Sequence, residues 1–299
     1  MLLKLKRLTT HLTAPKSTRP RGHQATGPVT AVSTRPSTWR STRLTVGAAG
    51  LALFAAAVTG CGDTGDKGAG GSGGGGKTVT VFAAASLTES FTALGKAFEG
   101  SHPGVRVRFN FGDSSALAQQ ITQGAPADVF AAASPATMKT VTDARLTDGQ
   151  PQTFVRNRLQ IATPADNPAK VTGIKDLAGP KVKVVLCAQQ VPCGAAATKA
   201  LAAAGVKVKP VSLEQDVKGA LNKVTLGEAD AALVYRTDVK AAGAKVHGID
   251  FPEAAKAIND YPIATLGKAP QPALAKEFLQ LVLSAQGKTT LTAAGFESP

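Results

Sequence analysis

Hydroxyl groups and helix starts recur in this chain at the places where predicted strands end. In open α/β sheets, ligands bind beyond the carboxyl ends of the strands, so residues at those places are candidate ligand contacts. Serine and tyrosine hydroxyls can donate hydrogen bonds, and a helix N-terminus favours an anion without help from Lys or Arg. These residue types therefore predict a site for a small anion. The candidates are Ser86 and Ser114, each between a strand and a helix, Cys193 and Val217 in the first turns of two further helices, and Tyr235 at a strand end.

Each side-chain candidate also has a purely structural interpretation. Ser86-Leu87-Thr88-Glu89 fits a capping box, in which Ser86 only caps its helix. Ser114 fits an N-cap of the same kind, and Tyr235 fits a core tyrosine whose hydroxyl bonds to the backbone. Spacing alone leaves both interpretations open.

The elements that must position these residues alternate between strand and helix from Lys77 onward. Apolar residues at strand and helix periods predict two similar α/β halves, each a mostly parallel sheet flanked by helices, with a ligand cleft between them. A single α/β domain with a large insertion is the alternative. The predicted strands cover 79–84, 105–111, 128–133, 159–162, 182–186, 208–212, 231–235 and 261–266. The main predicted helices cover 87–99, 115–123, 194–204, 215–226, 272–283 and 286–294.

Five ordered segments resemble motifs of molybdate-binding proteins. These proteins are substrate-binding subunits of ABC importers and have the two-lobed periplasmic-binding-protein fold of type II. The resemblance covers about residues 77–299 and implies a binding protein rather than an enzyme. The segments are VFAAASLT at 81–88, GAPADVF at 124–130, QDVKGAL at 215–221, GEADAALVY at 227–235 and YPIA at 261–264.

The resemblance also implies a role for each candidate. In that family a tetrahedral oxyanion is held by two serine hydroxyls, two backbone amides and one tyrosine hydroxyl. The matching positions are the hydroxyls of Ser86, Ser114 and Tyr235 and the amides of Cys193 and Val217. Ser115 takes the place of Ser114 if the register slips by one residue. Two positions depart from the family or strain its chemistry: Cys193 stands where the family usually has Ala, and the carboxylate of Asp113 is expected to face solvent because it would repel an oxyanion.

The first 76 residues have the features of an export signal and a tether. Val46–Val58 is an uncharged apolar run of 13 residues, too short to span a bilayer as a stable helix. Val58-Thr59-Gly60-Cys61 resembles a lipobox, in which the cysteine is acylated after cleavage before it; an ordinary cleaved signal is the alternative. The expected organisation is a leader over 1–60, a glycine-rich tether over 61–76, a first lobe over 77–157 and 260–299, and a second lobe over 158–259.

Two cysteines remain once Cys61 is assigned to lipid. Cys187 and Cys193 lie six residues apart across a Gln-Gln-Val-Pro turn, which predicts a disulfide in an exported protein. Two inert thiols are the alternative. No second cysteine pair or neighbouring histidine is visible in the sequence to support a metal site.

Charge distribution argues against nucleic-acid binding. The formal net charge is +14, but residues 1–60 hold nine of the 34 basic residues and no acidic residue. The 25 basic residues that follow exceed the 20 acidic ones by only five. The positive excess therefore lies mostly in the segment predicted to be a processing signal.

The expected function is capture of molybdate, and of tungstate, on the outer face of the cell membrane for delivery to an ABC permease. The expected protein is a lipid-anchored monomer with no cofactor and no metal beyond that of the oxyanion. A binding protein for sulfate or another tetrahedral anion is the nearest alternative. An exported hydrolase using Ser86 would need a base, but His102 and His247 match no triad signature and no Gly-x-Ser-x-Gly surrounds Ser86. An iron-binding protein would need more phenol or carboxylate ligands than Tyr235 alone.

Overall fold

The computed structural model describes residues 76–299, and every structural statement here concerns that range. Its strands are β1 (Lys77–Ala84), β2 (Val105–Gly112), β3 (Val129–Ala131), β4 (Gln152–Asn157), β5 (Leu159–Pro164), β6 (Val184–Cys187), β7 (Ser212–Glu214), β8 (Ala231–Tyr235), β9 (Val246–Ile249) and β10 (Asn259–Thr265). Its α-helices are α1 (Thr88–Ser101), α2 (Ser114–Thr122), α3 (Pro135–Asp143), α4 (Pro192–Ala204), α5 (Val217–Thr225), α6 (Arg236–Ala242), α7 (Pro272–Leu283) and α8 (Ala285–Ala294).

The strands form two sheets of five with the same internal arrangement. Their orders are β2-β1-β3-β10-β4 and β7-β6-β8-β5-β9. The fourth strand in each order, β10 or β5, runs antiparallel to both of its neighbours, and the other pairings are parallel. The prediction of mostly parallel sheets is therefore confirmed. The chain passes from the first sheet to the second at Arg158, between β4 and β5, and it returns just before β10.

Each sheet has its own apolar core. In the first lobe, α1 turns Phe91, Leu94 and Phe98 onto the sheet, as their helical spacing predicts. In the second lobe, α4 and α5 pack with the central strands β6 and β8. Within residues 76–299, no helix is both long enough and apolar enough to cross a membrane.

Four elements differ from the sequence prediction. The strands β4 and β9 and the short helix α6 were not predicted, because each is brief and carries polar residues among the apolar ones. The predicted strand over 208–212 is shifted, since β7 begins only at Ser212. Pro210 lies in the predicted stretch and has no N–H to donate to a neighbouring strand, which explains the shift.

Candidate functional site

All five predicted anion contacts line one small cavity between the lobes. The cavity has about 220 Å³ of space free of atoms, part of which is open to solvent. Its walls are the carboxyl ends of strands and the first turns of helices from both lobes. No Lys or Arg is among the described residues that line it. The lining residues are Ala84, Ala85, Ser86, Gly112, Asp113, Ser114, Ala133, Pro192, Cys193, Asp216, Val217 and Tyr235.

Ser114 is oriented by the backbone of the neighbouring strand. It is the first residue of α2 and is 1% exposed. Its Oγ accepts a hydrogen bond from the N–H of Ala133 at 3.0 Å. A hydroxyl has one hydrogen to donate, and this contact leaves that hydrogen available to a ligand. The N-cap interpretation of Ser114 is wrong, because Asp113 caps α2 by accepting from the N–H groups of Ser115 and Ala116.

Ser115 turns away from the cavity. Its Oγ donates to the carbonyl oxygen of Gln190 at 3.2 Å, and Ser115 is not among the cavity residues. The structure thus places Ser114, not Ser115, at the position that the serine motif predicts.

Tyr235 is held by a buried asparagine. The Nδ2 group of Asn259 donates to Tyr235 Oη at 2.9 Å and to the carbonyl oxygen of Ala133 at 2.7 Å. Both N–H groups of that amide are therefore used, and the phenolic hydrogen of Tyr235 is left to donate elsewhere. Complete burial raises the pKa of Tyr235 well above its usual value, with the nearby Tyr261 and Asp238 acting in the same direction. The phenol stays protonated at neutral pH.

Ser86 lies on a short 3₁₀ turn rather than at a helix cap. The turn covers Ala85–Leu87, α1 begins at Thr88, and no side chain caps it, so the capping-box interpretation of Ser86 is wrong. The Oγ atom of Ser86 lies 2.8 Å from Tyr261 Oη. Asn157 Nδ2 approaches the same phenol oxygen at 3.4 Å and donates to Thr237 at 2.9 Å.

The two predicted amides belong to the first turns of α4 and α5. First-turn N–H groups have no acceptor within their own helix, so they can donate to a ligand. Pro192 and Cys193 open α4, and Asp216 caps α5 through the N–H of Gly219 at 2.9 Å. The turn before α4 is tight, because a Cβ on Gly194 would lie 1.9 Å from the carbonyl oxygen of Ala188.

Cys187 and Cys193 are joined by a disulfide in the structure, with their Cα atoms 5.8 Å apart. Both residues are buried. The bond connects the end of β6 to Cys193, which lines the cavity in the first turn of α4. It therefore closes the turn that precedes α4.

Two carboxylates lie at the cavity wall, and each accepts hydrogen bonds from backbone N–H groups of the helix that it caps. Asp113 is only partly exposed, so the expectation that it faces solvent is wrong; its oxygens bind two N–H groups of α2 instead. Burial raises the pKa of Asp113, although those N–H groups act in the opposite direction. Asp216 is engaged in the same way at α5.

A third carboxylate lies behind Tyr235. Asp238 is fully buried, and its Oδ2 accepts from the backbone N–H of Tyr235 at 3.1 Å. Burial raises the pKa of Asp238 to about 6, against the opposing effect of Lys218. Burial also disfavours the charge on Lys218, but Asp238 and Glu89 outweigh it and raise the pKa of the lysine.

The two histidines among residues 76–299 lie outside the cavity lining. His102 ends α1, at the opposite end of that helix from Ser86, and its Nε2 bonds to Glu277 at 2.8 Å. His247 lies on β9 and is exposed. Among the residues described, no group of three or more His, Cys, Asp or Glu is arranged to hold a metal ion.

The family model for bacterial extracellular solute-binding proteins matches residues 79–297. Molybdate-binding protein ModA of Mycobacterium tuberculosis is 43% identical over 83% of this chain and 95% of its own length. ModA of Haemophilus influenzae is 34% identical over 74% of this chain and 90% of its own length. The chain belongs to the ModA family of extracellular solute-binding proteins. The family resemblance seen in the sequence motifs is thereby confirmed, and the chain is a binding protein rather than an enzyme.

Solved structures agree on the two-lobed fold. The periplasmic molybdate-binding protein of Azotobacter vinelandii aligns with a TM-score of 0.66 at 20% identity, over 74% of this chain and 99% of its own. The sulfate-binding protein SubI of Mycobacterium tuberculosis aligns with a TM-score of 0.64 at 18% identity, over 74% of this chain and 87% of its own. At these identities the likeness concerns the fold alone, which is the type II periplasmic-binding-protein fold that the sequence predicted.

Three residues that support the site were not identified from the sequence. Asn259 and Tyr261 on β10 bond to the hydroxyls of Tyr235 and Ser86. Asn157 on β4 acts one step further away, through the hydroxyl of Tyr261. Tyr261 lies within one of the five matched motifs, which was a usable signal. The two asparagines gave no signal, because their partners are 24 and 104 residues away in sequence.

Proposed function

We propose that this protein captures molybdate, and tungstate with it, outside the cytoplasmic membrane and presents it to the membrane subunit of an ABC permease. The observation that carries the proposal is the orientation of two donors. Ser114 and Tyr235 each accept a hydrogen bond from a protein N–H, which directs their single hydroxyl hydrogens elsewhere. The cavity between them is the space into which those hydrogens can point. Membership of the ModA family supports molybdate as the ligand.

A set of ligand contacts that consists only of hydrogen-bond donors suits a fully deprotonated oxyanion. Such an ion offers acceptors alone, so each protein contact must supply a hydrogen. In this proposal the hydroxyls of Ser86, Ser114 and Tyr235 and the amides of Cys193 and Val217 supply them. The helix dipoles of α4 and α5 add favourable potential at their N-termini.

Two carboxylates, Asp113 and Asp216, also line the cavity, and each accepts N–H groups of its own helix. A carboxylate has lone pairs beyond those bonds, so these residues do not by themselves exclude a protonated anion such as hydrogen phosphate. Sulfate has no hydrogen to donate, so its exclusion must come from size: a cavity closed around the larger molybdate loses contacts to a smaller ion.

Isothermal titration calorimetry on residues 77–299 tests the ligand. Molybdate and tungstate should bind with similar affinity, and sulfate should bind at least a hundredfold more weakly, equivalent to about 2.7 kcal/mol. Phosphate is the fourth anion of the series. Equal or tighter binding of sulfate would establish the sulfate alternative instead, and absence of binding by all four anions would remove the proposal.

The same proposal extends to the organisation of the chain. The crossings at Arg158 and before β10 support lobes over 77–157 with 260–299 and over 158–259. The predicted leader, the tether and the acylation of Cys61 fall outside the described residues and rest on the sequence alone. We propose a monomer attached to the outer face of the membrane by that cysteine.

A further inference from the structure

Three charged residues join the two lobes beside the cavity. Lys218 Nζ lies 2.8 Å from Glu89 Oε1 and 3.0 Å from Glu89 Oε2. The same nitrogen lies 3.2 Å from Asp238 Oδ1. Glu89 belongs to α1 in the first lobe, whereas Lys218 and Asp238 belong to α5 and α6 in the second. The ion pair between Glu89 and Lys218 therefore crosses the cleft.

Each member of this cluster adjoins one of the proposed anion donors. Glu89 lies three residues after Ser86, and Lys218 directly follows Val217. Asp238 accepts the backbone N–H of Tyr235. The distance between Glu89 and Lys218 is thus tied to the distance between the donors of the two lobes.

The two contacts of Lys218 differ in exposure. The side chain of Asp238 is 0% exposed, that of Lys218 is 24% exposed and that of Glu89 is 51% exposed. Asp238 is a buried carboxylate and needs a nearby positive charge, so it keeps Lys218 within the second lobe. Glu89 stays hydrated when it leaves Lys218. Of the two contacts of Lys218, the interlobe contact with Glu89 therefore breaks at the lower cost in free energy.

We propose that Lys218 is a positioning residue, which binds Glu89 across the cleft to hold the two sets of donors together and slow the release of the anion. This inference rests on the proposed function. Lys218 contributes no atom to the cavity lining, so it acts on the ligand through the closed arrangement of the lobes. The pair is partly exposed, and exposed pairs contribute little individually, so its effect is a few-fold change in rate.

Tyrosine fluorescence offers a direct measurement of ligand release. The chain has two tyrosines, Tyr235 and Tyr261, and its one tryptophan, Trp39, lies outside residues 77–299. Tyr261 bonds to Ser86, and Tyr235 bonds to Asn259 and lines the cavity. The tyrosine emission of residues 77–299 therefore reports on the site. Stopped-flow mixing of this fragment with molybdate gives the association rate, and chase with excess tungstate gives the dissociation rate.

Glu89→Gln is the test variant, because it removes the interlobe charge and leaves Lys218 paired with Asp238. Its dissociation rate should rise two- to fivefold at low salt, with the association rate unchanged. Raising the salt concentration should speed dissociation from the parent protein and leave the variant nearly unaffected. Glu89→Asp keeps the charge on a shorter side chain and should recover part of the loss. Glu228→Gln is the matched control, since it breaks an exposed pair with Lys223 inside the second lobe.

The outcomes separate this inference from the proposed function. If the parent protein binds molybdate but Glu89→Gln and Glu228→Gln release it at the parent rate, the role of Lys218 is refuted and the function stands. If the parent gives no signal with any oxyanion, the function fails. Small-angle X-ray scattering of the unliganded proteins then decides the interlobe contact: Glu89→Gln should show a larger radius of gyration than Glu228→Gln, and equal values would overturn it.

Discussion

A hydroxyl can accept two hydrogen bonds but donate only one, so its neighbours decide where its hydrogen points. The amide of Asn259 donates one N–H to Tyr235 Oη and the other to the carbonyl oxygen of Ala133. The backbone N–H of Ala133 donates to Ser114 Oγ. A single peptide segment at the end of β3 thus connects two donors that come from different lobes. This network orients the donors before any ligand arrives.

Removing one oriented donor should weaken molybdate binding. Because the Ala133 N–H or the Asn259 amide then loses its acceptor, the free energy of unfolding should also fall by about 1–3 kcal/mol. Ser114→Ala and Tyr235→Phe each delete one hydroxyl and little volume. Hydrogen bonds to a charged partner contribute about 1.5–3 kcal/mol, so each variant should lose roughly ten- to a hundredfold in affinity by calorimetry. Ser115→Ala is the matched control, because its hydroxyl binds Gln190 of the second lobe rather than the cavity, so its loss should weaken binding by a few-fold at most. If the control loses as much affinity as Ser114→Ala, the assigned serine is wrong.

The sequence predicted the three hydroxyl residues that line the cavity but not the residues that orient them. Ser86, Ser114 and Tyr235 adjoin the ends of strands that have strong local patterns, and their places at the cavity follow from the α/β order. Asn259, in contrast, meets its partners only through the tertiary fold, since its contact with Ala133 spans 126 residues. No local pattern distinguishes an asparagine that will be buried from one in a loop.

At the level of elements, the strands with continuous apolar residues were predictable. The predicted strand over 231–235 coincides with β8, whose five residues are all buried. In contrast, α6 has seven residues, and its capping depends on Asp238, which is buried by tertiary packing rather than by any local preference. Short elements that are stabilised by the rest of the fold leave little trace in their own sequence.

The disulfide should stabilise the turn that opens α4. A loop of this length is expected to contribute about 2 kcal/mol by restricting the unfolded chain. Cys187→Ser with Cys193→Ser should therefore lower the melting temperature and, because the turn loosens, weaken molybdate binding several-fold. Mass mapping of non-reduced peptides from the parent protein is the direct control. Two free thiols there, or unchanged melting in the double variant, would contradict the assignment.

Asp238 should make the stability of α6 and its surroundings depend on pH. Its pKa is about 6 in the folded protein, against 3.8 as the ordinary value. Between these values the folded state holds a proton that the unfolded state has lost, so the contribution of this group falls as pH rises through 6. The free energy of unfolding of the parent, relative to Asp238→Asn, should decrease from pH 4 to pH 7. Denaturant titrations at several pH values measure it, and a constant or rising difference would show that Asp238 is charged throughout.

For the whole molecule, the distribution of charge and glycine along the chain matters more than the totals. The net charge of +14 suggests a nucleic-acid partner only until residues 1–60 are counted separately from the rest. The region after residue 60 is nearly balanced, which is consistent with a protein that selects a small anion by shaped neutral donors. Nine glycines among the fifteen residues 62–76 then connect this body to Cys61.

The anchor should depend on one atom, the sulfur of Cys61. The apolar run Val46–Val58 is too short to hold the protein in the bilayer as a stable helix, and it would be removed with the leader. Acyl chains on Cys61 would then be the sole attachment, and Cys61→Ser should release the protein into the medium while molybdate binding is unchanged. The double variant Cys187→Ser with Cys193→Ser is the control, because it loses the other two cysteines and should stay with the membrane. Membrane fractionation after expression in the native type of host decides the matter: retention of Cys61→Ser on membranes would show that another segment holds the protein there.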